Sequence, residues 1–109
     1  LGLVDGASSP TYNVADTMSS HAGWSEFISY SNATRPAPTW GSASSGSKAT
    51  TATAFNINGA GTVAGAFMTT DNTISGTTGT LYSAGNFTGG SRTVASGDTL
   101  SVTYTATLT

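Results

Sequence analysis

Asp98-Thr99-Leu100-Ser101-Val102-Thr103-Tyr104-Thr105-Ala106-Thr107-Leu108-Thr109 is the stretch whose reading decides the fold. From Leu100 the apolar residues fall at every second position: Leu100, Val102, Tyr104, Ala106 and Leu108. Ser101, Thr103, Thr105 and Thr107 lie between them. Successive side chains of an extended strand point to opposite faces, so one face of this segment enters a core and the other meets water or a polar partner. A helix would scatter the same apolar residues around its surface, and the Thr and Val content also disfavours one. Ser96-Gly97-Asp98 supplies a turn before the strand. The stretch predicts a β protein and carries no sign of a reactive centre.

Composition agrees. A chain of 109 residues is one domain, 1–109, with a modest core. Its charges are Lys48, Arg35 and Arg92 against Asp5, Asp16, Glu26, Asp71 and Asp98. That is 7% of the residues, against roughly a quarter in ordinary globular domains. Ser and Thr number 16 and 21, a third of the chain. Disorder competes as an explanation of so much Ser, Thr and Gly, but the ordered alternation of β-branched and aromatic residues argues against it. A net charge of −2 excludes a nucleic-acid surface, because three cations neutralise too few phosphates. No apolar run approaches the roughly 20 residues of a membrane span, and no cationic, apolar leader is seen. The absence of Cys removes disulfides and thiolate metal sites. So uncharged a chain is suited to life inside an assembly.

Taken in order, Leu1–Gly6 reads as an opening strand and Ala7–Pro10 as a loop. Asp16–His21 predicts at most one short helical turn, capped by Asp16 and ended by Gly23. Trp24–Tyr30 reads as a strand with Trp24, Ile28 and Tyr30 on one face and Phe27 on the other. Pro36 and Pro38 keep the connection after it out of any central strand. Thr39–Gly41 is a short strand or strand end and Ser42–Lys48 a loop or an edge. Lys48–Ile57 predicts a strand that returns through Asn58-Gly59 as a hairpin with Thr62–Thr69. There Val63 and Phe67 share a face, and Gly65 leaves room for a large neighbour such as a tryptophan. Thr80–Phe87 and Arg92–Val94 follow, with Leu81 and Tyr82 on opposite faces. About seven short strands with turns between them predict an antiparallel β-sandwich or jelly roll.

Candidate chemistry is sparse. His21, the single histidine, lies near Asp16 and Glu26 in sequence, but no nucleophile elbow accompanies it. It is expected to hydrogen-bond the loop before Trp24. No paired carboxylates suggest acid–base work. Asp71-Asn72 offers too few oxygens for calcium, and zinc lacks ligands, so no metal and no cofactor are expected. Gly59-Ala60-Gly61 lacks the helix that a phosphate loop requires. Asn32-Ala33-Thr34 and Asn86-Phe87-Thr88 fit the glycosylation sequon, a match that a Thr-rich chain makes by chance. Arg35 is expected to pair with Glu26 or Asp16, the alternative being contact with a neighbouring subunit. Trp24 and Trp40 read as core, although exposed aromatics make good interface anchors.

The string Asp16-Thr17-Met18, Ser20-His21-Ala22-Gly23-Trp24, Glu26, Tyr30-Ser31 and Ala33-Thr34-Arg35-Pro36 resembles a family of small tailed-phage proteins. Leu1–Asp5 resembles their opening strand. Gly79-Thr80-Leu81-Tyr82 and Gly97–Thr103 resemble their closing half. The resemblance implies a virion structural protein encoded near the major capsid protein, assembled in the host cytoplasm. Its place would be the capsid exterior, as a head decoration or cement protein with the major capsid protein as partner. No catalytic residue is implied. Cement proteins commonly trimerise, and a homotrimer would cover sheet edges that no Lys or Pro protects here. Trp40 and Tyr82, with Arg35, are the expected interface residues.

Two alternatives stand beside this reading. One is a receptor- or glycan-binding module of a tail fibre or tail tip. The other is a polysaccharide hydrolase, which would need a carboxylate pair in a cleft.

Overall fold

Leu3 and Val4 are neighbours in sequence, and both are fully buried. Adjacent residues of a strand face opposite ways, so the strand holding them must be covered on both sides. The computed structural model, which describes residues 1–107, shows what covers it. Among the described residues there are nine strands and no helix: β1 (Gly2–Asp5), β2 (Glu26–Phe27), β3 (Ser47–Ala49), β4 (Thr53–Asn56), β5 (Gly61–Thr69), β6 (Leu81–Asn86), β7 (Arg92–Val94), β8 (Thr99–Val102) and β9 (Thr105–Thr107). All strand pairings are antiparallel. The protein is therefore all-β.

β5 is the spine of a five-stranded sheet. One of its edges carries β1, which carries β2 in turn. The other carries β6 along its C-terminal half and β7 along its N-terminal half. β6 and β7 thus form one continued edge, opened by the turn at Phe87–Gly90.

The second layer is a two-stranded ribbon: β8 runs against β4 and β9 against β3. Between the pairs Ala49–Thr105 and Thr53–Val102, the three residues Thr50–Ala52 oppose the two residues Thr103 and Tyr104. This extra residue bends the ribbon. The buried Thr50 secures the bend: its amide donates to the Tyr104 carbonyl at 2.8 Å and its hydroxyl accepts from the Tyr104 amide at 2.9 Å. The closing stretch is therefore two strands in line. Leu108 and Thr109 lie outside the described residues.

The core follows the layers. Leu3, Phe27, Val63, Ala66 and Val94 from the sheet pack with Phe55, Ile57 and Val102 from the ribbon side. Val4 and Phe67, on the sheet's other face, pack with Met18 and Trp24 from the segment between β1 and β2. Each large apolar side chain so buried contributes about 1.5–3 kcal/mol.

Several expectations are corrected. Residues 16–21 form no helical turn: Thr17 and Ser20 exchange backbone hydrogen bonds at 2.9 and 3.2 Å, a tight hairpin that drops Met18 into the core. Lys48–Ile57 is interrupted at the bend, and its partner is the closing stretch. Ile57 donates to the Asp98 carbonyl and accepts from the Gly97 amide, so Asn58–Ala60 crosses from ribbon to sheet and does not close a hairpin. Trp24–Tyr30 keeps only β2, because the Tyr30 amide donates to the Ile28 carbonyl at 2.9 Å in a three-residue turn. Tyr30 thereby joins Phe27 in one cluster, while Trp24 lies in the other and Ile28 is half-exposed.

Val63 and Phe67 lie on opposite faces, because the register with β1 skips Ala64, an extra residue that switches the parity of β5. Gly65 makes room for backbone and not for a tryptophan: a Cβ there would overlap the Gly85 carbonyl of β6. Ser42–Lys48 holds a hairpin tip, with Ser45 and Gly46 both at positive φ (51° and 76°), the conformation of a two-residue turn.

Candidate functional site

Arg35 sits at the join between β2 and the loop after β5, and it is buried. Its Nε and Nη2 donate to the two carboxylate oxygens of Glu26 at 2.8 and 2.7 Å. Nη1 donates to the Asp71 carbonyl at 2.9 Å and Nη2 also to that of Gly76 at 3.1 Å. The guanidinium lies over the Phe67 ring, 5.0 Å from its centroid. Burial pulls its pKa down, but the hydrogen bonds and charge of Glu26 outweigh that and hold it above the ordinary arginine value. Glu26 also accepts from the Ser75 amide at 3.0 Å. Arg35 therefore pairs with Glu26 and not with Asp16. At 1% exposure it offers no surface to a neighbouring subunit, which corrects its expected place at an interface.

Asp16 and His21 do a different job. Asp16 Oδ2 accepts from the Trp24 indole N–H at 3.2 Å and from the Asn13 amide at 3.0 Å. His21 stacks on Trp24, with ring centroids 3.8 Å apart, and its Nδ1 meets the Trp24 carbonyl at 2.9 Å. Trp24 is thus gripped at its indole nitrogen, its ring face and its backbone.

A shallow depression brings His21, Ser25, Glu26 and Ser75 to one rim. No hydrogen bond joins the imidazole to the carboxylate or to a hydroxyl there, among the described residues. Nucleophilic catalysis needs such a chain from base to nucleophile. The Asp71 carboxylate is held below the usual range by the Thr78 hydroxyl at 2.6 Å and the Thr73 amide at 3.0 Å, so it staples its own loop. No three His, Cys, Asp or Glu side chains gather to hold a metal ion among the described residues.

Four large apolar side chains face outwards among the described residues: Val14, Ile28, Trp40 and Tyr82. Tyr82 on β6 is 68% exposed, and Val14 is fully exposed. The two line a groove of about 260 Å³ between the Tyr12–Asp16 loop and β6. Trp40 is 37% exposed and leans edge-on against Tyr104, with centroids 6.3 Å apart. Its backbone bridges Thr50, so it belongs to the ribbon layer, whereas the groove lies on the face that Trp24 and Phe67 underlie. The two exposed aromatics are therefore on different layers. Sequence reasoning singled out both but missed Tyr12, Asn13 and Val14. The signal was present: Val14 is an apolar residue isolated in a polar loop.

Compared with models of protein families, with curated proteins and with solved structures, the chain matches none.

Proposed function

We propose that the chain is a bacteriophage virion structural protein, a decoration or cement protein that binds the major capsid protein on the outside of the head and stabilises it. The resemblance of the Asp16–Pro36 segment to small tailed-phage proteins is its starting point. The observation that carries it is the division of chemistry between inside and outside. The best-formed ion pair, Arg35–Glu26, is spent on holding loops together, while a hydroxyl-rich surface presents isolated aromatics.

Such a surface suits attachment to neighbours through many wet, polar contacts with a few apolar anchors. The work is mechanical. The ribbon layer carrying Trp40 is the capsid-facing side, and each copy, within a homotrimer, bridges capsid subunits where capsomers meet. Repetition over the lattice gives avidity. The protein needs no cofactor and catalyses nothing.

Heads stripped of the protein should break at lower temperature than decorated heads, and re-addition should restore the difference; equal stability would contradict the proposal. The groove beside Tyr82 favours a second reading, a receptor- or glycan-binding module of a tail fibre or tip. Immunogold labelling of particles separates head from tail.

A further inference from the structure

The groove between the Tyr12–Asp16 loop and β6 has properties that attachment to a capsid does not use. Its walls are prearranged. The Tyr12 hydroxyl donates to Asn86 Oδ1 at 2.8 Å, fixing the loop to β6. The loop is closed on itself by Asn13 N to Asp16 Oδ2 at 3.0 Å, Ala15 N to Asn13 Oδ1 at 2.9 Å and Asp16 N to the Asn13 carbonyl at 3.0 Å. The Trp24 indole anchors Asp16 from beneath. These bonds leave polar atoms unspent at the groove: Asp16 Oδ1, the side-chain Nδ2 of Asn13, the Tyr82 hydroxyl and the Ser83 hydroxyl have no partner among the described residues.

We propose that this groove binds a short, neutral saccharide. Sugar hydroxyls both donate and accept, and the groove sets a carboxylate acceptor beside amide and hydroxyl groups that match them. An exposed Tyr82 offers an aromatic face to the apolar face of a sugar ring, while Val14 and Leu81 add apolar wall. No Lys, Arg or His lines the groove, and Asp16 would repel an anion, which excludes nucleotides, phosphates and acidic sugars. Its volume, about 260 Å³, falls just below the roughly 300–1,000 Å³ of sites for drug-sized ligands, so the ligand is short. Prearranged walls cut the ordering cost of binding, and an open site of this size binds in the roughly millimolar range.

The experiment is a titration of the isotope-labelled protein with chitotetraose, maltotetraose and lactose, followed by amide and indole NMR resonances. At least one of these saccharides should give saturable shifts confined to Tyr12–Asp16, Leu81–Ala84 and the Trp24 indole. The Trp24 indole N–H resonance should move, because its acceptor is Asp16, while that of Trp40 stays still. Tyr82→Ala should weaken binding roughly tenfold without changing the melting temperature. The inference is overturned if none of the three shifts the groove, if the shifts map elsewhere, or if Tyr82→Ala binds as well as the parent. It is also overturned if capsid protein, and no sugar, protects the groove. Capsid attachment through Trp40 plays no part in the titration, so the two proposals fail separately.

Discussion

Both carboxylate oxygens of Glu26 are held by one guanidinium, that of Arg35, at 2.7 and 2.8 Å in a site nearly closed to water. The pair joins residues nine apart in sequence, and through Asp71, Gly76 and Ser75 it ties the loop after β5 to the strand β2. A bidentate contact of this kind is strong and directional. Its burial makes it costly to break by halves.

Arg35→Met should therefore destabilise the fold by about 3–5 kcal/mol, because it leaves the Glu26 carboxylate buried without its cation. The double variant Arg35→Met/Glu26→Leu should lose less than the single one. Urea unfolding of the two variants decides this; a double variant weaker than Arg35→Met would contradict the account. High salt should change the parent's stability little, since the pair is nearly closed to solvent and so weakly screened.

The Tyr30 hydroxyl is buried with no hydrogen-bond partner among the described residues, and its ring meets Phe55 edge-on at 5.1 Å. Tyr30→Phe removes that stranded group and keeps the ring contact, so it should be neutral or stabilising by about 1 kcal/mol. Burial, with the charge of Glu26 adding to it, pushes the Tyr30 pKa from 10.0 up to about 12. The folded state then keeps a proton that the unfolded state gives up, so stability is fully present below pH 10 and falls as the pH rises towards about 12. Tyr30→Phe should flatten that decline without abolishing it, because burial also raises the pKa values of Tyr12 and Tyr104. Urea midpoints across this range test both statements.

Two glycines of the sheet should respond oppositely to alanine. A Cβ at Gly65 meets the backbone of Gly85 and Asn86, whereas one at Gly85 meets nothing within 4 Å. Gly65→Ala should cost about 1–3 kcal/mol through forced separation of β5 from β6. Gly85→Ala should be neutral or stabilise by about 0.4–1 kcal/mol through the unfolded chain. Thermal melts of the pair are the check.

These residues also show what a sequence discloses. The alternation Leu100, Val102, Tyr104 survives the bend in the ribbon because the extra residue sits in the opposite strand, at Thr50–Ala52. In β5 the extra residue, Ala64, is in the strand itself, and small residues that suit either face hide the switch that parts Val63 from Phe67. Asn58-Gly59 carries the same turn chemistry whether the chain returns along its own sheet or crosses to another layer. Which of these happens is decided by the partner that Ile57 finds at Gly97 and Asp98. Arg35 and Glu26 were legible because so few charges compete. The groove was not, because the contact that builds it joins Tyr12 to Asn86 across 74 positions.

Trp40→Ala should leave the fold nearly intact, costing about 0.5–1.5 kcal/mol for the edge contact with Tyr104. In the proposed attachment Trp40 is a central anchor, so its loss should weaken binding to capsids by about 2 kcal/mol or more. Melting and capsid co-sedimentation of the same preparation separate the two effects.

The most direct measurement adds the purified protein to heads that lack it and follows both occupancy and the temperature at which the heads rupture. The account predicts saturable binding at repeated lattice positions and a higher rupture temperature, both diminished by Trp40→Ala. Heads that bind none of the protein, or that bind it and rupture at an unchanged temperature, would contradict it.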